Sequence, residues 1–136
     1  MIRMANGFYG VSGGPADCVQ VALSQIYAKR GPDLVVSGPN RGANMGQDVY
    51  YSGTVSAARE ACLQKIPSLA VSLCVDFYKP RTEAKAHYDT ASKLAVEVIR
   101  AFTKNGKSKI QLPPDSFLNL NSPDVPLSKV KGITLA

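Results

Sequence analysis

The chain has 136 residues, which suffices for one domain with a buried core but is short for two. Its 45% hydrophobic and 19% charged content is ordinary for a globular protein, and no apolar run reaches the roughly 20 residues of a membrane helix. The net charge of +6 arises mainly in residues 79–136, which carry ten Lys or Arg against five Asp or Glu.

The first seven residues lack the apolar core of a signal peptide, so we expect a cytoplasmic protein without membrane partners. Cys18, Cys62 and Cys74 have no CxxC spacing, which predicts small buried side chains rather than disulfides or a zinc site. The basic excess is compatible with a phosphorylated substrate, a nucleic acid or a solvated face. The few scattered aromatic residues do not make a base-stacking platform, so we expect no nucleic-acid partner.

The first elements predicted along the chain are a short strand over residues 8–11 and a helix that begins near Pro15. Proline suits a first helical turn, where its missing N–H costs nothing. An apolar stripe at i, i+3, i+4 and i+7 predicts one buried helix face, and Gly31-Pro32 is expected to end the helix. The stripe consists of Val19, Ala22, Leu23 and Ile26.

A βαβ unit is predicted over residues 33–74. Residues 34–36 have the length and β-branching of a buried strand, and a polar, glycine-punctuated loop is expected from Ser37 to Gly53. An alanine-rich helix follows to about Ile66, and residues 68–73 form a second apolar strand. The helix stripe is Val55, Ala58, Cys62 and Ile66. Ligands of such sheets lie outside the carboxyl ends of the strands, so the loop after residue 36 is the candidate ligand site.

The second half predicts an irregular loop over residues 75–83 and a long helix over residues 84–104. Asn105-Gly106 is a helix-ending signal, and the single histidine, His87, is expected at the surface. Residues 117–121 alternate, and Val130, Ile133 and Leu135 resemble the start of a further strand. The buried stripe of the long helix is expected to comprise Ala91, Leu94, Ala95, Val98 and Phe102.

The strongest local signal for chemistry is Ser52-Gly53-Thr54 at the start of the alanine-rich helix. A helix N-terminus offers free N–H groups and a partial positive charge, and the hydroxyl groups add donors. These features fit a phosphate or another anion. The competing interpretation is a plain cap in which Ser52 or Thr54 caps its own helix.

Asn40 and Asn44 are the other candidate residues of the central loop. Asparagine in such a loop often serves turn geometry alone. In a functional interpretation, Asn40 presents an amide oxygen to Mg²⁺ or Mn²⁺ and Asn44 binds a phosphate. Asp48 is expected to be a solvated loop acid. A GxxxxGK[ST] loop is absent, which disfavours P-loop chemistry, and no catalytic residue is identified.

Several segments together resemble the SurE family of stationary-phase survival proteins, which are metal-dependent 5'/3'-nucleotidases. The likeness covers nearly the whole chain, and the SGxNxGxN pattern followed by YSGTV is specific. The matching segments are VSGPNRGAN at 36–44, DVYYSGTV at 48–55, AARE at 57–60, GPADCV at 14–19, IPSLAVSL at 66–73 and LNLNSP at 118–123.

The resemblance implies a three-layer, Rossmann-like α/β fold with a mainly parallel sheet, formed by residues 1–136 as one partial domain. It implies a phosphomonoesterase acting on nucleoside monophosphates with Mg²⁺ or Mn²⁺, and a homodimer or homotetramer. Asn40 stands at the family's metal-ligand asparagine. Asn44 and Ser52-Gly53-Thr54 stand where the family holds the substrate phosphate.

The chain also departs from the family pattern. Family members supply metal carboxylates from an Asp-Asp pair after a first strand, and this sequence contains no Asp-Asp. It also stops before the family's C-terminal portion, so we expect an internal piece whose sheet is incomplete at both ends. A lone asparagine holds Mg²⁺ weakly, which predicts weak metal binding and little catalysis. The alternative is a non-catalytic phosphate-binding or oligomerising remnant of the same fold.

Overall fold

The computed structural model describes residues 1–77, 86–103 and 112–136, which form an α/β fold. The strands are β1 (Ile2–Arg3), β2 (Tyr9–Gly10), β3 (Val35–Arg41), β4 (Ser68–Cys74) and β5 (Leu118–Pro123). The α-helices are α1 (Pro15–Val21), α2 (Asp48–Tyr51), α3 (Gly53–Leu63) and α4 (Tyr88–Ala101). A π-helix, Ala22–Ile26, continues α1, and a 3₁₀ helix spans Leu127–Lys129.

Strands β3, β4 and β5 form a parallel sheet in that order. Helix α3 connects β3 to its neighbour β4, so the predicted βαβ unit is confirmed. A separate antiparallel pair is formed by β1 and β2 near the N-terminus.

The two faces of the central strand β4 differ in side-chain size, and each is covered by a helix. Leu69, Val71 and Leu73 are at most 1% exposed and pack with the buried alanines of α4. On the other face, Ala70 packs against Val55 and Ala58 of α3. Ser68 belongs to that face, since its Oγ donates to the carbonyl oxygen of Ala58 at 2.6 Å. Helix, sheet and helix give the three layers that the resemblance implied.

Small residues allow α3 to lie close to the sheet. Ala57, Ala58 and Ala61 are at most 3% exposed. The predicted stripe is right at Val55 and Ala58, but Cys62 is only half-buried and Ile66 lies beyond the last helical residue. All three cysteines are half-buried thiols rather than fully buried ones.

Helix α4 is confirmed as a long amphipathic helix, but it is shorter than predicted, because residues 86–87 and 102–103 are described and lie outside its bounds of Tyr88 and Ala101. Ala91, Leu94 and Ala95 are buried as predicted. Residues 84–85 and 104–106 of the predicted helix and its ending signal lie outside the described residues, as does part of the predicted loop over residues 75–83.

Strand β3 differs from its prediction in length and in burial. The expected loop from Ser37 onward begins as strand, because β3 continues to Arg41. Val36 is 47% exposed, because β3 lies at the edge of the sheet in the described part of the chain and packs on one neighbour only. The expected burial of residues 34–36 was therefore wrong.

The predicted helix at residues 15–30 is shorter and less buried than expected. Its α-helical part ends at Val21, and the N–H of Tyr27 bonds the carbonyl oxygen of Ala22 in the wider π pattern. Ile26 is 38% exposed. Val19, Ala22 and Leu23 of the predicted stripe line a groove of about 260 Å³ instead of a closed core. The groove is lined by Cys18, Val19, Ala22, Leu23, Tyr27, Pro32, Leu34 and Val35.

The alternating run near residue 118 is a strand, β5, whereas the strand start expected near residue 130 is wrong. Ile133 and Leu135 are 48% and 81% exposed in irregular backbone. Alternation alone does not form a strand without a neighbouring ladder of hydrogen bonds. Among the described residues, no helix has the length and apolar character needed to span a membrane.

Candidate functional site

The candidate site lies at the carboxyl ends of β3, β4 and β5. Helix α3 joins two parallel neighbours, so it must begin on the side of the sheet where β3 ends. The first turn of α3, the end of β3 and the loop between them therefore share one edge. This is the edge at which open α/β sheets bind ligands.

A row of three polar residues crosses the sheet near this edge. Asn40 of β3 pairs in register with Ser72 of β4, and Ser72 pairs with Asn121 of β5. Residues paired in register across parallel strands point to the same face. Ser72 is fully buried in this row.

An irregularity in β3 brings Asn40 into that row. Ser37 pairs with Ala70, but the next described pair is Asn40 with Ser72, so β3 uses one residue more than β4 between them. Gly38 occupies the extra segment with a φ of +110°. In a regular strand Pro39 would stand beside Ser72, and Asn40 would face the opposite side. The bulge therefore re-aims Asn40, a use that bulges have near functional sites.

The end of β3 is held in shape by its own side chains. The Nδ2 of Asn40 donates to the carbonyl oxygen of Gly42 at 3.0 Å, which fixes the orientation of the half-buried amide. Arg41 lies over the ring of Phe77, with Cζ 5.2 Å from the ring centroid. A side chain on Gly42 would meet that ring at 3.0 Å. The residue after β3 must therefore be small for Phe77 to pack there.

Asn44 is 6% exposed and is tied to both β4 and β5. Its Nδ2 donates to the Oγ of Ser72 at 2.7 Å, and its backbone N–H donates to the Oδ1 of Asn121 at 2.8 Å. Its carbonyl oxygen accepts from the Nδ2 atoms of Asn119 and Asn121, at 2.8 and 3.2 Å. An amide nitrogen carries two hydrogens, so one N–H of the Asn44 side chain remains beyond the bond to Ser72.

Ser52 caps α3 by accepting a hydrogen bond from the N–H of Val55 at 3.1 Å. This is the helix-capping arrangement that the sequence allowed as the alternative to a phosphate site. The space that a Gly53 side chain would fill is taken by Pro15 of α1, whose Cγ would lie 2.9 Å from it. Gly53 thus allows the first turns of α1 and α3 to touch. Thr54 follows it, half-buried.

Two candidate titratable residues behave differently from each other. Asp48 is exposed at the start of α2, in keeping with its prediction as a solvated acid. His87, which was expected at the surface, is only partly exposed, and its Nδ1 lies 2.9 Å from the Oδ1 of Asp124. The hydrogen bond from the His87 backbone N–H, aided by the His87 ring, lowers the pKa of Asp124. This pair joins the start of α4 to the end of β5.

The donor set for a metal ion is small. Asn40 offers one neutral amide oxygen, and hard divalent cations prefer several oxygen ligands that include carboxylates. Across residues 1–77, 86–103 and 112–136, no group of three or more His, Cys, Asp or Glu side chains is placed to hold a metal ion. The described residues therefore do not fit a tight Mg²⁺ or Mn²⁺ site by themselves.

The sequence did not identify Ser72, Asn119 or Asn121 as residues of the site. A usable signal was present in the alternation of residues 118–121, which puts the two asparagines on one face and the two leucines on the other. Polar amides repeated on one face of a parallel strand need buried partners, and Asn44 supplies them here.

Comparisons with known proteins agree with this architecture. The family described as "Survival protein SurE" matches residues 2–136. The chain is 44% identical over 131 residues to "5'-nucleotidase SurE" of Pelobacter propionicus, covering 96% of this chain and 48% of that protein. The Geobacter metallireducens protein of the same name is 46% identical over 125 residues, covering 91% and 44%.

A solved structure, that of the SurE protein from Aquifex aeolicus, superposes with a TM-score of 0.76 at 35% identity. The match covers 90% of this chain and 45% of that one. The chain thus spans about half the length of the curated relatives it matches. It belongs to the SurE family.

Proposed function

We propose that the protein is a phosphomonoesterase that removes phosphate from nucleoside monophosphates. The observation that carries the proposal is the placement of Asn40, Asn44 and the first turn of α3 at one edge of the sheet. That edge offers N–H groups of a helix N-terminus and amide donors, which suit the oxygens of a phosphate. The relatives are named 5'-nucleotidases, which favours the same chemistry.

In this proposal the substrate phosphate is held by Asn44, Ser52, Gly53 and Thr54. Ser52 keeps its capping bond to Val55 and uses its hydroxyl hydrogen as a donor to the phosphate, since a hydroxyl group both accepts and donates. The dipole of α3 adds a partial positive charge where phosphate oxygens gather. No residue of the described chain is assigned as general acid or base.

A divalent metal, Mg²⁺ or Mn²⁺, is part of the proposed reaction, with Asn40 as the ligand that this chain contributes. If it were bound there, such an ion would polarise a phosphate and activate water. Because the described donors do not make a tight site, we expect this chain to bind the ion weakly and to work slowly.

Release of inorganic phosphate from AMP and GMP, with and without added Mn²⁺, tests the proposal. Asn40→Ala and Ser52→Ala should lower the rate, whereas Ser56→Ala should not. Ser56 is the matched control because it lies in the same helical turn but spends its hydroxyl on the carbonyl oxygen of Gly53. AMP binding without phosphate release would favour the non-catalytic remnant instead, and neither binding nor release would contradict both.

The proposal further includes a single domain over residues 1–136, a homodimer or homotetramer, and a cytoplasmic location. Exposed apolar side chains beside the site are compatible with assembly: Met45 is 55%, Tyr50 76% and Tyr51 89% exposed. Sedimentation equilibrium would give the oligomeric state, and a monomer at all concentrations would contradict this part.

A further inference from the structure

The side chains of two asparagines in β5 make the hydrogen bonds to the backbone of Asn44 that a neighbouring strand would ordinarily make. The side-chain amide of Asn121 accepts from the N–H of Asn44 and donates to its carbonyl oxygen, as a peptide group of a neighbouring strand would do. Asn119, two residues earlier on the same face, donates to the same carbonyl oxygen. Every backbone polar atom of Asn44 is therefore bound by a side chain of β5.

This arrangement explains how a loop residue is buried at the edge of the site. Asn44 is 6% exposed, and buried backbone N–H and C=O groups must be paired. Residues 42–47 lie outside the helices and strands, so no regular ladder supplies partners there. The β5 amides supply them, and Ser72 holds the side chain of Asn44 from β4.

Asparagine is the residue type that this geometry requires at position 121. It carries a donor and an acceptor at the end of one short side chain, whereas aspartate lacks the donor and alanine lacks both. The register places Asn121 directly beside Ser72, so the two side chains that grip Asn44 start from adjacent positions of the sheet.

We infer that Asn121, assisted by Asn119, is a positioning residue that fixes Asn44 for the substrate phosphate. The inference rests on the proposed function. A loop that is already held in its binding conformation loses less conformational entropy when the ligand binds. The free energy of binding is therefore not reduced by the cost of ordering the loop. Asn121 acts through Asn44 and need not touch the substrate.

The test measures AMP affinity by isothermal titration in the presence of Mn²⁺, together with native-state hydrogen exchange at the Asn44 amide. Asn121→Ala should weaken AMP binding about tenfold, the range expected when a buried polar group loses its partner. Its Asn44 amide should also exchange faster. Asn119→Ala should weaken binding less and leave that amide protected, because Asn119 bonds only the carbonyl oxygen.

Leu120→Ala is the matched control for a merely structural effect. Leu120 lies between the two asparagines, but its side chain packs on the α4 side of the sheet. Its variant should lose stability and keep the AMP affinity of the wild type. Should Asn121→Ala itself fail to fold, Asn119→Ala and Asn121→Asp take its place, and the aspartate should restore protection of the Asn44 amide while weakening AMP binding.

Three outcomes would overturn the inference. They are wild-type AMP affinity in the folded Asn121 variants, an equal loss of affinity in Leu120→Ala, and an Asn44 amide that exchanges in a folded Asn121→Ala variant at the wild-type rate. If the wild-type chain neither binds AMP nor releases phosphate, the proposed function fails and the positioning role fails with it. If the wild type and Asn121→Ala bind AMP equally well, only the positioning role is contradicted.

Discussion

Gly38 lies so close to the carbonyl oxygen of Val71 on the neighbouring strand that a Cβ atom at position 38 would overlap it. The same Cβ would approach the backbone nitrogen of Asn40 at 3.0 Å, and Gly38 has a φ of +110°. The bulge that brings Asn40 beside Ser72 therefore depends on a residue without a side chain.

Gly38→Ala should lower the free energy of unfolding by about 3 kcal/mol, since it adds an overlap with rigid backbone to an unfavourable φ. Gly46→Ala is the matched control. Gly46 also has a positive φ, +56°, but nothing lies within 4 Å of its added Cβ, so about 1 kcal/mol of backbone strain is expected. Urea denaturation of both variants measures the difference. Equal losses would mean that the strand shifts freely and that the bulge does not depend on Gly38.

Asp124 should make the free energy of unfolding depend on pH in the acidic range. Because the pKa of Asp124 is lower in the folded chain than its ordinary value of 3.8, its stabilisation is fully present above that value. It is lost as the pH falls through the lower folded-state pKa. Asp124→Asn should cost about 1 kcal/mol at pH 7, the scale of a partly exposed carboxylate at a helix N-terminus. It should also flatten the decline of stability in acid.

Chemical denaturation of wild type and Asp124→Asn between pH 2 and pH 7 gives the comparison. Asp33→Asn removes one exposed carboxylate and provides a control with the same change in net charge. Parallel pH curves for wild type and Asp124→Asn would contradict a role for the His87–Asp124 contact.

Thr90 offers the opposite kind of test, in which a substitution is expected to stabilise. It is fully buried in the first turns of α4, and among the described residues its Oγ1 has no hydrogen-bond partner. Burying an unpaired hydroxyl costs about 1–3 kcal/mol, so the nearly isosteric Thr90→Val should raise the free energy of unfolding by about 1 kcal/mol. Thr103→Val should not, because the hydroxyl of Thr103 donates to the carbonyl oxygen of Ile99 at 2.7 Å. Thermal unfolding of both variants measures the difference. A Thr90→Val variant that melts at a lower temperature than the wild type would contradict the prediction.

The sequence predicted local features well where one physical cause dominates. The apolar run at residues 68–73 has no stable place except a buried strand, and the small residues of α3 could only serve close packing. The loop asparagines were identified as candidates because their types and spacing are specific.

Features that depend on neighbours were less predictable. The exposure of Val36 follows from which strands stand beside β3, and no property of residues 34–36 contains that information. The contact between His87 and Asp124 joins residues 37 positions apart. The role of Asn121 likewise required the register of β5 against β4, which sequence periodicity leaves open.

A substitution at Ser52 can separate helix capping from phosphate binding, because aspartate at this position keeps the cap and opposes binding of a phosphate. Aspartate caps helices about as well as serine, so Ser52→Asp should retain the stability of α3 within a few tenths of a kcal/mol. Its carboxylate at the N-terminus of α3 would repel a phosphate, so AMP binding should be lost. Ser52→Ala should lose about 1 kcal/mol of stability together with the hydroxyl donor. Urea denaturation and AMP titration on wild type and both variants give the two quantities independently. If Ser52→Asp bound AMP as tightly as wild type, the first turn of α3 would not hold the phosphate, and Ser52 would be a helix cap alone.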